Sequence, residues 1–439
     1  MKGFVENRFG LVALVLIALG ALYGLAFLTR PAQEAPPARG PQKVAVESVV
    51  AVCPAPRGAE VAVLSAPGEG TVTVGSAQVK EPGKLWREPV EGDGPVVVKA
   101  TGKAAQGLEA SFGTKTAKGR SRGLAGVRCT EPAGTTWLIG PGPSAAGVTL
   151  HLTNADAAPA LADVLVYSAE GPVPSDAGRG IAVKPGAHVE LDLNELAPSA
   201  TVVAVGVTTS TGRLAVAARA VMDGRGVDWL PASAPPATRV VVPGIPSGEG
   251  KRELLVAAPG NLDAVVRVRA VTTDGSYAMK GRETLDVIAG TVAVMELTKG
   301  LDGRAAAVEL VSDVPVVAGM VISTSVDVAF SAGTPPLDLG GAVADNGKGS
   351  SLVLTAVGGP GRVKVGTATV DVPASRTKVV KVKAGTGLVV TPVSGQVYGG
   401  RVTSERTGAG TLITAQPLSQ GRIWTLLPTY TDDPAVVLP

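Results

Sequence analysis

The chain has 439 residues, a net charge of +3, and 45% hydrophobic residues with aromatics at only 3%. A charge so near zero, with no basic helix and no aromatic-interleaved basic patch, argues against nucleic acid as a partner. The length suggests roughly two to four domains, and valine-rich runs cut by 57 Gly and 34 Pro point to an all-β chain rich in turns, not a low-complexity one.

Residues 1–8 form a short tail carrying Lys2 and Arg8. Residues 9–28, "FGLVALVLIALGALYGLAFL", hold no charge, which is the length and character of a transmembrane helix. The run is long for a signal peptide and ends in "TRPAQ" without a small-residue cleavage site, so a retained signal anchor is expected. Arg30 and Arg39 follow it, so flanking charge barely sets the orientation. The short tail and the bulk behind the helix place the N-terminus inside and the rest outside. That makes a single-pass protein of the cell membrane, largely extracytoplasmic. Residues 29–43, "TRPAQEAPPARGPQK", read as an extended tether.

Residues 44–132 are strand-rich and are expected to form a divergent β module. Behind it lies an internal repeat. "TLHLTNADAAPALADVLVYSAEG" (149–171) aligns with "ELLVAAPGNLDAVVRVRAVTTDG" (253–275) at an offset of 104, which sets Leu150 on Leu254 and Gly171 on Gly275. "IAVKPGAHVELDL" (181–193) then falls on "LDVIAGTVAVMEL" (285–297), and after a small loop change Trp229 meets Phe330. A weaker copy begins at "SSLVLTAVGGPGRVKV" (350–365), with Trp424 in "RIWTLLP" echoing the "VDWLP" around Trp229. The expected modules are therefore 133–238, 239–340 and 341–439.

Within a module apolar and polar residues alternate. In "VTLHLTN", Val148, Leu150 and Leu152 point one way, and Thr149, His151 and Thr153 the other. One apolar and one wet face per strand means antiparallel sheet. About seven strands in roughly 100 residues suggest a row of immunoglobulin-like β-sandwiches. The alternative, a β-propeller, has a blade of about half that period.

The candidate chemistry is sparse. Ser121 lies in a G-x-S-x-G match, but the polar "GTKTAK" before it and the β segment after it do not make a nucleophile elbow, so a solvated loop is expected. Cys53 and Cys129 are the two cysteines. In an oxidising compartment they read as a disulfide closing the first module, a loop of about 75 residues worth roughly 4 kcal/mol. His151 and His188 fall on predicted polar faces, and their repeat partners are Leu255 and Val292, so both are expected to be plain surface histidines. The carboxylates of "DLNEL" (192–196), "LDLG" (337–340) and Asp432–Asp433 lack the aromatic setting of a sugar cleft. "GGPGRVKVG" (358–366) reads as turn glycines, since no helix follows to receive a phosphate. No catalytic, cofactor-binding or metal-binding residues are assigned, and no cofactor is expected. The loop "TKTAKGRSRG" carries Lys115, Lys118, Arg120 and Arg122 without an acid and is the candidate polyanion contact. A second basic group is Arg362, Lys364, Arg376, Lys378, Lys381 and Lys383. "TTWLIG" opens the second module, with Trp137 expected as the apolar anchor at its seam with the first.

"RCTEPAGTTWLIGPG" (128–142), "HLTNADAAPALADVLVYSAEGPV" (151–173), "VDWLPASAPPATRVVVPGIP" (227–246) and "SDVPVVAG" (312–319) carry a family likeness. Through them the chain resembles a family of actinobacterial secreted or membrane-anchored proteins defined as a domain of unknown function. The resemblance implies a cell-envelope location and carries over no catalytic residue. The expectation is a non-enzymatic, membrane-anchored scaffold or adaptor that meets an envelope protein or an anionic cell-wall polymer. The alternative is a carbohydrate-active enzyme or sugar-binding propeller of wall assembly. Carboxylates converging in a ring of blades would favour the alternative, and a linear row of sandwiches would oppose it.

Overall fold

The computed structural model describes residues 8–28, 41–418 and 421–427. Most of the predicted tail and tether, and the carboxylates Asp432 and Asp433, lie outside them. The N-terminal helix Arg8–Leu28 has 21 residues, and Leu11, Val12, Leu14, Leu16, Ile17, Leu19 and Leu22 are all exposed. Among the described residues no helix is long and apolar enough to cross a membrane.

The chain is all-β, built from several small antiparallel sheets. Residues 48–417 fold as four modules with one strand order. The second module shows it. Its strands are Thr135–Pro141, Gly147–Thr153, Ala160–Ser168, Pro172–Val173, His188–Asp192, Val202–Thr211, Ala215–Met222 and Gly226–Leu230, with a short extra strand Ile181–Val183. In that numbering one sheet runs first–sixth–third–fourth and the other fifth–second–seventh–eighth. The first and fourth modules repeat this order. The third does too, except that its sixth and seventh strands are one 18-residue strand, Ala306–Ser323, shared by both sheets. Apart from the third–fourth and seventh–eighth hairpins, successive strands thus cross between two facing sheets. A propeller blade is one sheet of consecutive strands, so the propeller alternative is not seen.

Alternation explains each core. Leu150 and Leu152 face Val164, Val166, Val205 and Val207 across the gap between the two sheets of the second module. In the third module Leu254, Val266, Val268, Val308 and Leu310 do the same. The wet faces, however, are not all wet. The outer face of the fifth–second–seventh–eighth sheet is covered in every module by a neighbour. Ala217, Val227 and Trp229 of the second module pack into the first module's core. Leu255, Val292, Val317, Val321 and Phe330 of the third join the second's. Val353, Val402, Ile413 and Ala415 of the fourth join the third's. Ala62 and Leu64 of the first meet Ala342 and Ala344 of the fourth.

The circuit is therefore closed, not a linear row. Its hub is made by the eighth strands of the four modules: Gly123–Arg128, Gly226–Leu230, Val328–Ala332 and Gly410–Pro417. Each packs against two others, the last against the first. Residues 45–425 form one compact body. Trp424 does not continue the repeat as its echo of "VDWLP" suggested. It opens the strand Trp424–Leu427, which pairs with Gln42–Ala45, while the fourth module's counterpart of Gly226–Leu230 is Gly410–Pro417.

Candidate functional site

The ionisable groups converge on the hub. Asp228 lies mid-strand between Val227 and Trp229 and has no solvent exposure. Its Oδ1 accepts from the N–H of Gly126 in the first module and from its neighbour Trp229, both at 2.9 Å. It also accepts from Thr414 Oγ1 of the fourth module at 3.2 Å. Its Oδ2 has no hydrogen-bond partner. Asp327, just before the third module's last strand, is equally buried. Its Oδ2 accepts from the N–H groups of Leu124 (first module) and Ile413 (fourth), both at 2.9 Å, and its Oδ1 from Val328 at 3.0 Å. Gly123 and Gly226, which open the closing strands of the first two modules, are glycine for this reason. Their φ values are 135° and 128°, and a Cβ on either would overlap the Asp327 carboxylate.

Burial raises both acids. Asp327 is pushed up to about 6, with its backbone donors pulling the other way. Asp228 is raised well above its ordinary value, again by burial, with the Asp327 charge adding to the rise. A carboxyl closed off from water disfavours its charged form unless donors compensate it, and here they do so only partly.

A second polar group lies between the first and fourth modules. Arg128 donates to the carbonyls of Ala342 (2.6 Å) and Pro417 (3.2 Å) and stands 3.4 Å from Glu109 Oε1. Glu109 accepts from the Ala344 N–H and from Ser111 Oγ. Arg401 donates to Gln416 Oε1 at 2.6 Å and to the Asp345 carbonyl. Burial drives Glu109 up and Arg128 down, while each charge draws the other back. Beside them a cavity of about 30 Å³ is lined by Gly126, Arg128, Trp229, Leu230, Gln416 and Pro417. That is room for about one water, not for a sugar ring.

The sequence-assigned residues fall as follows. Cys53 and Cys129 are bonded to each other, next to the bridge between Val52 and Thr130. Ser121 sits in the turn between the first module's last two strands. Of the candidate polyanion contacts on that turn, Arg120 makes two 2.8 Å bonds to Asp223 and Arg122 donates to the Gly224 carbonyl at 2.7 Å. Lys115 pairs with Glu405 of the fourth module, and Lys118 is exposed. Arg120, Arg122 and Lys115 thus bond to the second and fourth modules at the surface, with the Arg120 side chain still 81% exposed.

Two expectations need correction. His151 is not a surface histidine. It is 6% exposed, packs 5.2 Å from the Trp229 ring and lies 3.4 Å from Glu190, because the first module covers its face. Burial lowers it to about 4, against the pull of Glu190. His188 is exposed as expected. Trp137 is not the anchor between the first and second modules. It lies on the second module's other sheet, over Gly206 and 5.9 Å from Tyr167. The seam is filled by Trp229, edge-on to Phe112 at 6.1 Å. Asp228, Asp327 and Glu109 were missed in the sequence. The available signal was a lone acid inside an apolar run, as in "GVDWL", with nothing adjacent to solvate it.

Among the described residues no three or more His, Cys, Asp or Glu side chains come together as a metal site. No curated protein and no solved structure matches the chain. Residues 84–393, the whole second and third modules with parts of the first and fourth, match a family of unknown function, DUF5719, and the chain belongs to that family.

Proposed function

We propose that the protein is a non-enzymatic, membrane-anchored scaffold or adaptor in the cell envelope, of the kind expected in an actinobacterium. The carrying observation is that the buried ionisable groups are spent on holding modules together. Asp228, Asp327, Glu109 and Arg128 bond across module boundaries, and Arg401 braces Asp345 and Gln416 on the fourth module's side of the seam. The converging carboxylates that a hydrolase reading would need are closed over, beside a cavity of about 30 Å³. Anchoring is supported by the helix Arg8–Leu28. The disulfide suits an oxidising compartment.

Each module is read as an immunoglobulin-like sandwich in which the first and seventh strands have exchanged sheets. The usual order sets the first strand beside the second, whereas here the seventh holds that place and carries the eighth outward to the hub. The cations suited to an anionic envelope polymer are those of the fourth module. Lys364, Lys378, Lys381 and Lys383 are exposed around one edge, and Arg362 is paired with Asp371.

Carbonate extraction and protease treatment of spheroplasts test the placement together. The chain is expected to stay with the membrane while added protease degrades the part beyond the helix. Release by carbonate would overturn the anchor, and full protection would overturn the extracytoplasmic placement.

A further inference from the structure

The four seams of the circuit are not alike. Three pair modules that are consecutive in the chain, and each is an extension of a large apolar core. The fourth, between the first and last modules, buries only Ala62, Leu64, Ala342 and Ala344 as its apolar cluster. Polar groups fill the remainder: Glu109, Ser111, Arg128, Asp345, Arg401 and Gln416. Gln416 Nε2 and Arg401 Nε have no acceptor. A buried ion network recovers little beyond its desolvation cost, and each unmet buried donor detracts from it.

The carboxylates at the hub belong to the same seam. Asp228 and Asp327 come from the second and third modules, yet each accepts a bond from the closing strand of the first and one from that of the fourth. They clip those two strands together.

We infer that the circuit opens at the seam between the first and fourth modules, with Asp228 and Asp327 as its clips, while the other three seams hold. The chemistry favours this seam because it lacks a continuous apolar core and no covalent linker spans it directly. Opening is a local event of lower free energy than unfolding, in which the last module lifts from the first.

Amide hydrogen exchange of the full chain in detergent, resolved to single residues, tests this directly. Every seam has a reporter amide bonded across it: Ala344 and Asp345 for the first–fourth seam, Gly126 for the first–second, Ala234 for the second–third, and Ile413 for the third–fourth. Ala344 and Asp345 are expected to exchange at least about tenfold faster than Ala234. The Asp228→Asn variant should widen that gap by speeding Ala344 and Asp345 and leaving Ala234 unchanged. A second variant, Leu255→Ala, weakens the second–third seam and should speed Ala234 first. Equal protection of all reporters in the native chain, or an Asp228→Asn variant that speeds all of them equally, would overturn the inference.

Discussion

Burial moves His151 and Asp327 in ways that oppose each other in stability. His151 is lowered from 6.5 to about 4, so the folded state releases its proton more readily than the unfolded one. Its contribution is complete above 6.5 and is lost as pH falls toward 4. Asp327 is raised from 3.8 to about 6, so the folded state holds its proton more tightly. Its contribution is complete below 3.8 and is lost as pH rises through 6, and Asp228 acts in the same sense. Each of the first two shifts corresponds to about 3 kcal/mol. In His151→Leu, which places there the residue type of Leu255, only the falling part remains. The melting temperature of that variant should drop more steeply between pH 4 and 7 than that of the native chain. Asp327→Asn should show the reverse change in slope, whatever its absolute stability. Parallel melting-temperature profiles for the two variants would refute the assignment of these shifts to burial at the hub.

The second strand of each module shows what the sequence reveals and what it hides. Alternation in "VTLHLTN" places Leu150 and Leu152 in the core, where both are fully buried. It cannot say whether the opposite face meets water or another module, because a seam can be dressed with polar groups. In the second module that face holds His151 and Thr153, and both are buried. In the third it holds Leu255, also buried. A position that is polar in one repeat and apolar in the next fits either case: His151, paired with Leu255, is buried, whereas His188, paired with Val292, is exposed. Trp229 and Trp137 were likewise indistinguishable by composition, since both are tryptophans on alternating strands. The structure separates their energetics. Trp229 is 6% exposed and fills a seam against Phe112, so Trp229→Ala should cost about 3–5 kcal/mol in urea unfolding. Trp137 is half-buried against Tyr167 within one sheet, and Trp137→Ala should cost distinctly less. If the order is reversed, the seam has been assigned to the wrong residue.

At the scale of the whole chain, local repeat patterns implied beads on a string, and closure was illegible because it depends on contacts between residues about 290 apart, such as Arg128 with Pro417. Closure changes how the protein should unfold. Independent sandwiches would melt separately, each with its own core. Here Phe330 and Leu255 belong to the apolar cluster of the preceding module, and Trp229 to that of the first. The first three cores each include a neighbour's strands, and the fourth module, whose own core is self-contained, is tied in through the strands it gives to the third. Residues 45–425 are therefore expected to give one dominant calorimetric transition, with an enthalpy per residue like that of a single domain. The disulfide makes the expectation sharper. Cys53 and Cys129 are separated by 76 residues, and removing the bond should destabilise the first module by roughly 4 kcal/mol on the chain-entropy account. In a row of independent modules the Cys53→Ser/Cys129→Ser variant would shed an early transition belonging to the first module alone. In a closed circuit that module takes Trp229's seam and both carboxylate clips with it, so the single transition should move to lower temperature without splitting. A split endotherm in that variant would mean that the seams are too weak to couple the modules.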